Sequence, residues 1–165
     1  VGKVMQPMAQ FGGVHMTFLD ATQTKGKRQL VHPQTNEPLV SKLMHGSVRG
    51  GAILLYTPKN PARLVIGEGI ETTLTVLQEA FEPNTAYWCG ASLSNMAGRS
   101  DPTKKGKDRH AWPDIDATAF VPPAWCKTLV LLRDADSNAK ATTTIYYLLG
   151  RSSLAPELVD LGLRS

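Results

Sequence analysis

The chain has 165 residues, enough for one domain with a hydrophobic core. Hydrophobic residues make up 42% of the sequence, as in globular proteins, and no apolar run resembles a membrane span or a signal peptide. We therefore expect a cytoplasmic protein without a membrane partner. The net charge of +4 favours a polyanionic partner only mildly, because basic proteins of many kinds carry such a charge.

The first third of the chain has the pattern of β-structure. Residues 14–18 alternate between apolar and polar side chains, which predicts a strand that ends at Asp20. The polar residues 21–28 then predict a hairpin loop, and a second apolar run covers residues 52–56. We therefore expect a β-rich N-terminal portion at residues 1–62 that packs on the rest of the domain.

The remainder, residues 63–165, predicts an α/β core with a mostly parallel central sheet. Its first part has the order strand, helix, strand, which is a βαβ unit and implies two parallel strands. A long loop, a buried strand, a helix and a last short helix follow. The strands are predicted at residues 63–66, 85–89 and 128–132, and the long loop at 98–123. The helices are predicted at residues 71–81, 139–149 and 156–163.

The two cysteines, Cys89 and Cys126, are isolated and far apart in the chain. They form no CxxC pair, so the sequence encodes no zinc ribbon. We expect two reduced thiols, the usual state in a cytoplasmic protein.

Three acidic residues follow two of the predicted strands. Glu68 comes just after the strand at 63–66, and Asp134 and Asp136 come just after the strand at 128–132. If these strands are parallel neighbours, the carboxylates converge where open α/β sheets bind ligands. Carboxylates held close together repel, and a hard divalent cation with oxygen ligands relieves that repulsion. The sequence therefore predicts a Mg²⁺ site, with Mn²⁺ as an alternative ion.

Each of these signals has an ordinary interpretation when it is taken singly. An Asp-x-Asp sequence in a loop is commonly a turn, and Asp136 or Ser137 is suited to N-cap the helix that follows. Glu68, between two glycines, fits a solvated turn. It is the joint placement at two strand ends that favours a site.

The residues around the carboxylates resemble two motifs of the Toprim family, which occurs in bacterial primases, topoisomerases, recombination-repair proteins and nucleases. Residues 66–72 (IGEGIET) are similar to its glutamate motif, and residues 131–137 (LLRDADS) are similar to its DxD motif. The resemblance is closest to phage- and plasmid-type primase/helicase proteins and spans roughly residues 13–149. Its upstream part is a strand, a lysine-containing turn and a Gly-Gly segment, at residues 15–20, 41–46 and 50–53.

The resemblance implies a Toprim (Rossmann-like) fold and gives roles to individual residues. Glu68 would act as general acid or base or help to position the metal, and the two aspartates would bind Mg²⁺. Lys42 would lie near the phosphate or the template. Gly67 and Gly69 would be structural residues beside the site, with Gly69 letting the backbone turn closely.

The sequence also departs from the family pattern. Ser137 and the two residues after it stand where the family commonly has a glycine. Residues 152–165 match the family's next strand poorly, and Asp160 is a weak candidate for its further acidic residue. The zinc-binding module of full primases is lacking.

Basic residues of the long loop are candidates for contacts with nucleic-acid phosphates, against the alternative of a solvated loop. They are Arg99, Lys104, Lys105 and Lys107. The three tryptophans are more often core residues than base-stacking ones. Residues 90–95 predict a turn that faces phosphate, with Ser92 and Ser94 near the acidic site.

The function implied by the resemblance is primase-type nucleotidyl transfer in the replication of a phage, plasmid or other mobile element. It would use a DNA template and nucleotides, with a helicase domain or protein as a further partner. A Toprim nuclease and a non-catalytic nucleic-acid-binding module remain open as alternatives. The chain starts at Val1 rather than Met, so we expect one compact unit cut from a larger protein, and such an isolated domain need not be active.

Overall fold

The computed structural model describes residues 2–6, 10–24, 26–106, 112, 114, 119–133 and 157–162. Within them the chain forms ten strands and two helices. In chain order these are β1 (Gly2–Gln6), β2 (Gln10–Thr17), β3 (Leu30–Val31), β4 (Pro38–Leu39), β5 (Lys42–Gly46), β6 (Ala52–Tyr56), β7 (Arg63–Gly67), α1 (Ile70–Glu79), β8 (Thr85–Cys89), α2 (Leu93–Ala97), β9 (Thr128–Arg133) and β10 (Glu157–Gly162).

Eight of these strands form one mixed sheet in the order β10-β9-β7-β8-β6-β1-β2-β5, and β3 pairs with β4 in a separate two-stranded ribbon. The four strands from β10 to β8 run parallel to one another. The four from β6 to β5 are joined by antiparallel pairs. The architecture is therefore mixed α/β with strands at the N-terminus, and only half of the sheet is parallel.

The N-terminal strands account for this difference from the mostly parallel sheet that we expected. Only residues 7–9 separate β1 from β2, a connection too short for the crossover that a parallel pair requires. These strands pair antiparallel and extend the sheet beyond β8, so the N-terminal portion continues the same sheet as the core.

The strands of the parallel half are buried because their sequences are continuous apolar runs. Every residue of β8 is buried, as are the last four of β7 and the central four of β9. Strands with such runs are covered on both faces of a sheet, whereas strands with one wet face alternate in polarity. The predicted βαβ unit is present, because α1 connects β7 to its parallel neighbour β8.

Alternate side chains of these strands form two separate clusters, one on each face. On the face covered by α1, Val65, Tyr87 and Val130 pack with Val76 and Leu77 of the helix. On the opposite face, the main cluster contains Leu64, Ile66, Trp88, Leu129 and Leu131 with Met96 of α2 and Phe120. The parallel half is thus a three-layer core.

The two edge strands of the sheet differ from the prediction. The lysine-containing turn expected at 41–46 is mostly strand β5, which pairs antiparallel with β2. Residues 156–163 were expected to form a short helix and to match a further strand poorly, but Glu157–Gly162 is strand β10, paired in parallel with β9 along its whole length. Without β10 the backbone groups on that side of β9 would be an open edge, so pairing across the sheet outweighs the local helical pattern. The predicted helix at 139–149 lies outside the described residues.

The expectations for two strands, for the cysteines and for Trp88 agree with the structure. The strands predicted at 52–56 and 85–89 have those bounds, and Cys89 and Cys126 are buried free thiols on opposite faces of the sheet. Trp88 is buried against Trp125 and Phe120, in edge-to-face contacts, so it serves the core. In the described part of the chain, neither helix has the length and apolarity needed to cross a membrane.

Candidate active site at the ends of β7 and β9

The pairing of β7 with β9 sets the position of the first acidic motif relative to the second. The two strands are parallel neighbours in continuous register, from Arg63 opposite Thr128 to Ile66 opposite Leu131. Both carboxyl ends therefore lie at one edge of the sheet. The chain passes from β7 to β8 on one side of β7, and the next strand of the sheet, β9, pairs on the opposite side of β7. The strand order therefore reverses between β7 and β9. Open α/β sheets bind ligands at such a reversal.

The strand adjacency on which the predicted site depends is thus confirmed, and Glu68 lies at the expected edge. Continuing the register by two residues beyond Ile66 and Leu131 brings Glu68 level with Arg133, the last residue of β9. Asp134, the next residue in the chain, and Asp136 lie outside the described residues. Their role as metal ligands stays a prediction.

Residues 67–69, which we call the Glu68 loop, are held through three successive backbone carbonyls. The Gly67 carbonyl accepts from the backbone N–H of Gly90 at 2.8 Å, and the Glu68 carbonyl accepts from Cys89 Sγ at 3.0 Å. The Gly69 carbonyl accepts from Thr73 Oγ1 at 2.8 Å. These bonds fix the backbone of the loop between β8 and α1, while Glu68 itself is only half-buried. Such a loop presents its carboxylate from a rigid base.

The glycine that this geometry requires is Gly67. A Cβ atom on Gly67 would lie 2.5 Å from Thr73 Oγ1, inside any normal contact distance. Gly69 is the N-cap of α1 with φ of −98°, an extended conformation open to any residue, and its Cβ would make only ordinary contacts. The close approach that we expected at Gly69 therefore occurs two residues earlier.

Two lysines meet a glutamate beside the Glu68 loop. Glu71, in the first turn of α1, has its Oε1 atom 3.5 Å from Lys42 Nζ and 3.9 Å from Lys27 Nζ. We call these three residues the charged cluster. Lys42 was expected near bound phosphate, and the structure brings it to the first turn of the helix that follows Glu68.

Cys89 connects the charged cluster with Glu68 electrostatically. Burial raises the pKa of its thiol to about 11, the backbone N–H of Ala91 opposes that shift, and the charges of Glu71, Lys42 and Glu68 act on it in turn. The charges of two carboxylates and one ammonium group therefore act on a single buried thiol. Because that thiol is protonated at neutral pH, Cys89 acts as a donor to the loop and not as a nucleophile.

The carboxyl group of Glu71 remains ionised in this setting. Burial raises its pKa, but the hydrogen bond from its own backbone N–H and the charges of Lys42 and Lys27 outweigh burial, so the net pKa is lowered. An ionised carboxylate at the start of a helix is also favoured by the helix dipole. Glu71 is thus a permanent anion that holds two cations next to the Glu68 loop.

His15 lies beneath this cluster. Opposite residues of paired strands share a face, and β2 places His15 opposite Met44 and Thr17 opposite Lys42, so His15 and Lys42 point to the α1 side. Its side chain is 7% exposed, and its Nδ1 atom has no hydrogen-bond partner among the described residues. Burial lowers the pKa of His15, Lys42 lowers it further, and Glu71 opposes them. The imidazole is therefore neutral at physiological pH.

Asn95 is a positioning residue that the sequence did not reveal. Its buried side chain accepts from the Gly50 N–H at 2.8 Å and donates to the Gly51 and Gly90 carbonyls, each at 2.8 Å. It therefore ties the turn before β6 to the loop after β8. The only local signal was Ser92, whose hydroxyl caps α2 by accepting from the Asn95 N–H at 3.1 Å. Of the residues predicted as a turn at 90–95, 90–92 precede this short helix and 93–95 begin it.

Two of the four basic residues of the long loop, Arg99 and Lys104, contact other residues of that loop. Arg99 Nε donates to Asp114 Oδ2 at 2.6 Å, and Lys104 Nζ lies 5.3 Å from the centre of the Trp112 ring. Lys105 is exposed. Lys107 lies outside the described residues, and contacts of any of the four with nucleic acid stay a prediction.

The predicted ligands belong to the chemical class that Mg²⁺ prefers. The three predicted ligands are all carboxylates, and Mg²⁺ prefers hard oxygen ligands of this sort. Among the described residues no three His, Cys, Asp or Glu side chains come together as a metal site. Two of the three predicted ligands lie beyond those residues, so a complete ligand set is not expected among them.

Comparisons with known proteins found no relative of this chain. No family model matches the chain, and no curated protein and no solved structure matches it. What the chain does is therefore inferred from its own residues and fold.

Proposed function

We propose that this chain is the Toprim-type catalytic domain of a primase-like protein, which joins ribonucleotides on a DNA template in the replication of a phage, plasmid or other mobile element. The observation that carries the proposal is the parallel, in-register pairing of β7 with β9. It gives the glutamate motif and the strand before the DxD motif a common edge. Strand β10 adds support, because a further strand after the DxD helix belongs to the family pattern.

The residues of this chain divide the work between acid–base chemistry and charge. Glu68, on its fixed loop, would take the proton from the attacking hydroxyl or help to hold the metal. Asp134 and Asp136 would complete the metal site. When bound, Mg²⁺ would neutralise phosphate charge and stabilise the oxygens around the reacting phosphorus. Lys42 and Lys27 would attract the phosphates of the incoming nucleotide or the template, since both lie beside the Glu68 loop.

Glu68→Gln tests this proposal through two assays run side by side, primer synthesis and phosphodiester cleavage, both with Mg²⁺. We expect primer synthesis by the wild type and a loss of roughly 10²–10⁴-fold in the variant, the usual contribution of a positioned acid or base. Glu79→Gln, an exposed glutamate at the far end of α1, is the matched control and should keep full activity.

The outcomes separate the proposal from its alternatives. Cleavage without primer synthesis, lost in Glu68→Gln, would make the domain a nuclease. Wild-type activity of Glu68→Gln in both assays would contradict a catalytic role for this residue. Nucleic-acid binding with neither activity in the whole protein would leave the non-catalytic module as the function.

A further inference from the structure

A second feature lies next to the charged cluster. The chain between β2 and β5 leaves the sheet and, with the β3–β4 ribbon, encloses a groove of about 660 Å³. The groove is lined both by polar and basic side chains and by apolar ones. Those that matter here are Gln23, Lys27, Arg28, Leu30, Val31 and Leu39.

The walls of this groove are built by hydrogen bonds to the sheet. The Phe18 N–H donates to the Ser41 carbonyl at 2.9 Å, and the Arg28 N–H donates to the Phe18 carbonyl at 2.9 Å. Leu19 and Lys27 form an isolated antiparallel bridge. The two cations of the groove therefore project from backbone that is anchored to the end of β2.

Lys27 joins the groove to the candidate active site. It lines the groove, and its Nζ atom lies 3.9 Å from Glu71 Oε1. The same oxygen lies 3.5 Å from Lys42 Nζ, beside the Glu68 loop. Arg28, Lys27 and Lys42 thus form a row of positively charged side chains from the groove to the Glu68 loop.

The chemistry of the lining indicates what fits. The described residues that line the groove include two cations and no Asp or Glu. Leu39 lies opposite Leu30 across the ribbon, on the same face, and its large apolar side chain stays 46% exposed. An occupant with both an anionic backbone and accessible flat apolar faces suits both kinds of lining residue. A single nucleic-acid strand has both, whereas a duplex hides the faces of its bases.

We propose that this groove holds a single strand of nucleic acid and leads it to or from the Glu68 site, with phosphates on Lys27 and Arg28 and bases against Leu30 and Leu39. This inference rests on the proposed function. It gives Glu71 a restraining role, because its carboxylate pairs with Lys27 and Lys42 and so competes with the phosphates of the strand for them. That carboxylate also repels the strand, so it limits affinity.

The test is the binding of a fluorescent oligothymidylate, measured by anisotropy in EDTA over a range of salt concentrations. We expect Arg28→Ala to weaken binding several-fold and to reduce the slope of log K against log[salt] by about 0.7, the value for one lost phosphate contact on a single strand. Leu39→Asp, which puts a carboxylate into the groove, should weaken binding as well. Lys59→Ala, an exposed lysine before β7, is the matched control.

Glu71→Gln gives a result that a purely structural role would not. Removal of its charge should tighten binding several-fold and steepen the salt dependence, while Glu79→Gln on the same helix should change neither. Wild-type affinity and salt slope in both Arg28→Ala and Leu39→Asp would overturn the proposal, as would equal affinity for a duplex. EDTA removes the metal and prevents turnover, so this assay measures strand binding alone. The binding proposal can therefore be contradicted while the catalytic proposal stands, and the catalytic proposal can be contradicted while the binding proposal stands.

Discussion

The parallel and antiparallel halves of the sheet differ in burial and in what they bring to the candidate site. In the parallel half, β8 is buried at every position, and the half carries Glu68 on a loop with three anchored carbonyls. In the antiparallel half, β5 has no fully buried residue, and Phe11 of β2 is 60% exposed. That half carries Lys42 and His15.

The difference shows that the acid and the cations of the site come from separately built regions. Their distances depend on the junction where β6 pairs with β8, rather than on either half alone. Asn95 reinforces that junction by bonding to the backbone on both of its sides. Mutations in the two halves and at the junction should therefore have different consequences.

The largest effect on stability is expected at the junction, from Asn95→Ala. This change leaves the Gly50 N–H and the Gly51 and Gly90 carbonyls, all in buried residues, without their partner. A buried polar group left unpaired costs about 1–3 kcal/mol, so we expect a loss of roughly 3 kcal/mol in the free energy of unfolding. Urea denaturation measures it, with the exposed Asn84→Ala as the control. Equal stability of the two variants would show that the halves hold together without Asn95.

A smaller effect is expected within the parallel half, from Gly67→Ala. The added methyl group displaces Thr73, whose hydroxyl anchors the Gly69 carbonyl. Overpacking of this kind costs about 1–3 kcal/mol, and we expect the variant to lose activity as well because the Glu68 loop shifts. Gly69→Ala is the paired comparison and should be milder in both thermal unfolding and activity. The reverse order would mean that the tight position has been misassigned.

The smallest effect is expected in the antiparallel half, from the pH dependence of His15. Its pKa in the folded protein lies below the unfolded value of about 6.5, because it is buried and faces Lys42, with Glu71 opposing. Above that pH both states are neutral and stability is complete. As the pH falls from about 6.5 through the folded pKa, the unfolded state binds the proton first and stability is lost.

His15→Gln should flatten this part of the stability curve, while His45→Gln, an exposed histidine of β5, should leave it unchanged. Denaturant midpoints measured at steps between pH 7.5 and about pH 5 provide the comparison. An unchanged pH dependence in His15→Gln would show that another group, outside the His15 environment, titrates on unfolding.

The sequence predicted those parts of the fold that depend on local pattern. The apolar runs of β6, β7, β8 and β9 and the βαβ order followed from periodicity. The pairing of β7 with β9 was only the condition under which the acidic residues would converge, and the structure meets it. Strand β10 was missed because its conformation depends on pairing with β9 and not on its own residues.

The missed parts of the candidate site have the same cause. Asn95 bonds to Gly50 across 45 positions in the chain, and Lys27 meets Glu71 only because β2 and β5 lie beside α1. Nothing in the residues around Asn95 or Lys27 indicates such partners. Lys42 was found in advance only through a family resemblance, and the metal ligands Asp134 and Asp136 and the phosphate contacts of Lys107 stay predictions.

The central claim is that Glu68, Asp134 and Asp136 form one metal site, and Mn²⁺ binding tests it most directly. Paramagnetic resonance of free Mn²⁺ gives the affinity of the wild type, Glu68→Gln, Asp134→Asn and Asp136→Asn, with Asp101→Asn of the long loop as the control. We predict that each site variant loses at least about tenfold in affinity, a cost found even for residues that only support metal ligands, and that Mg²⁺ competes in the wild type. Wild-type affinity in all three site variants would contradict the claim.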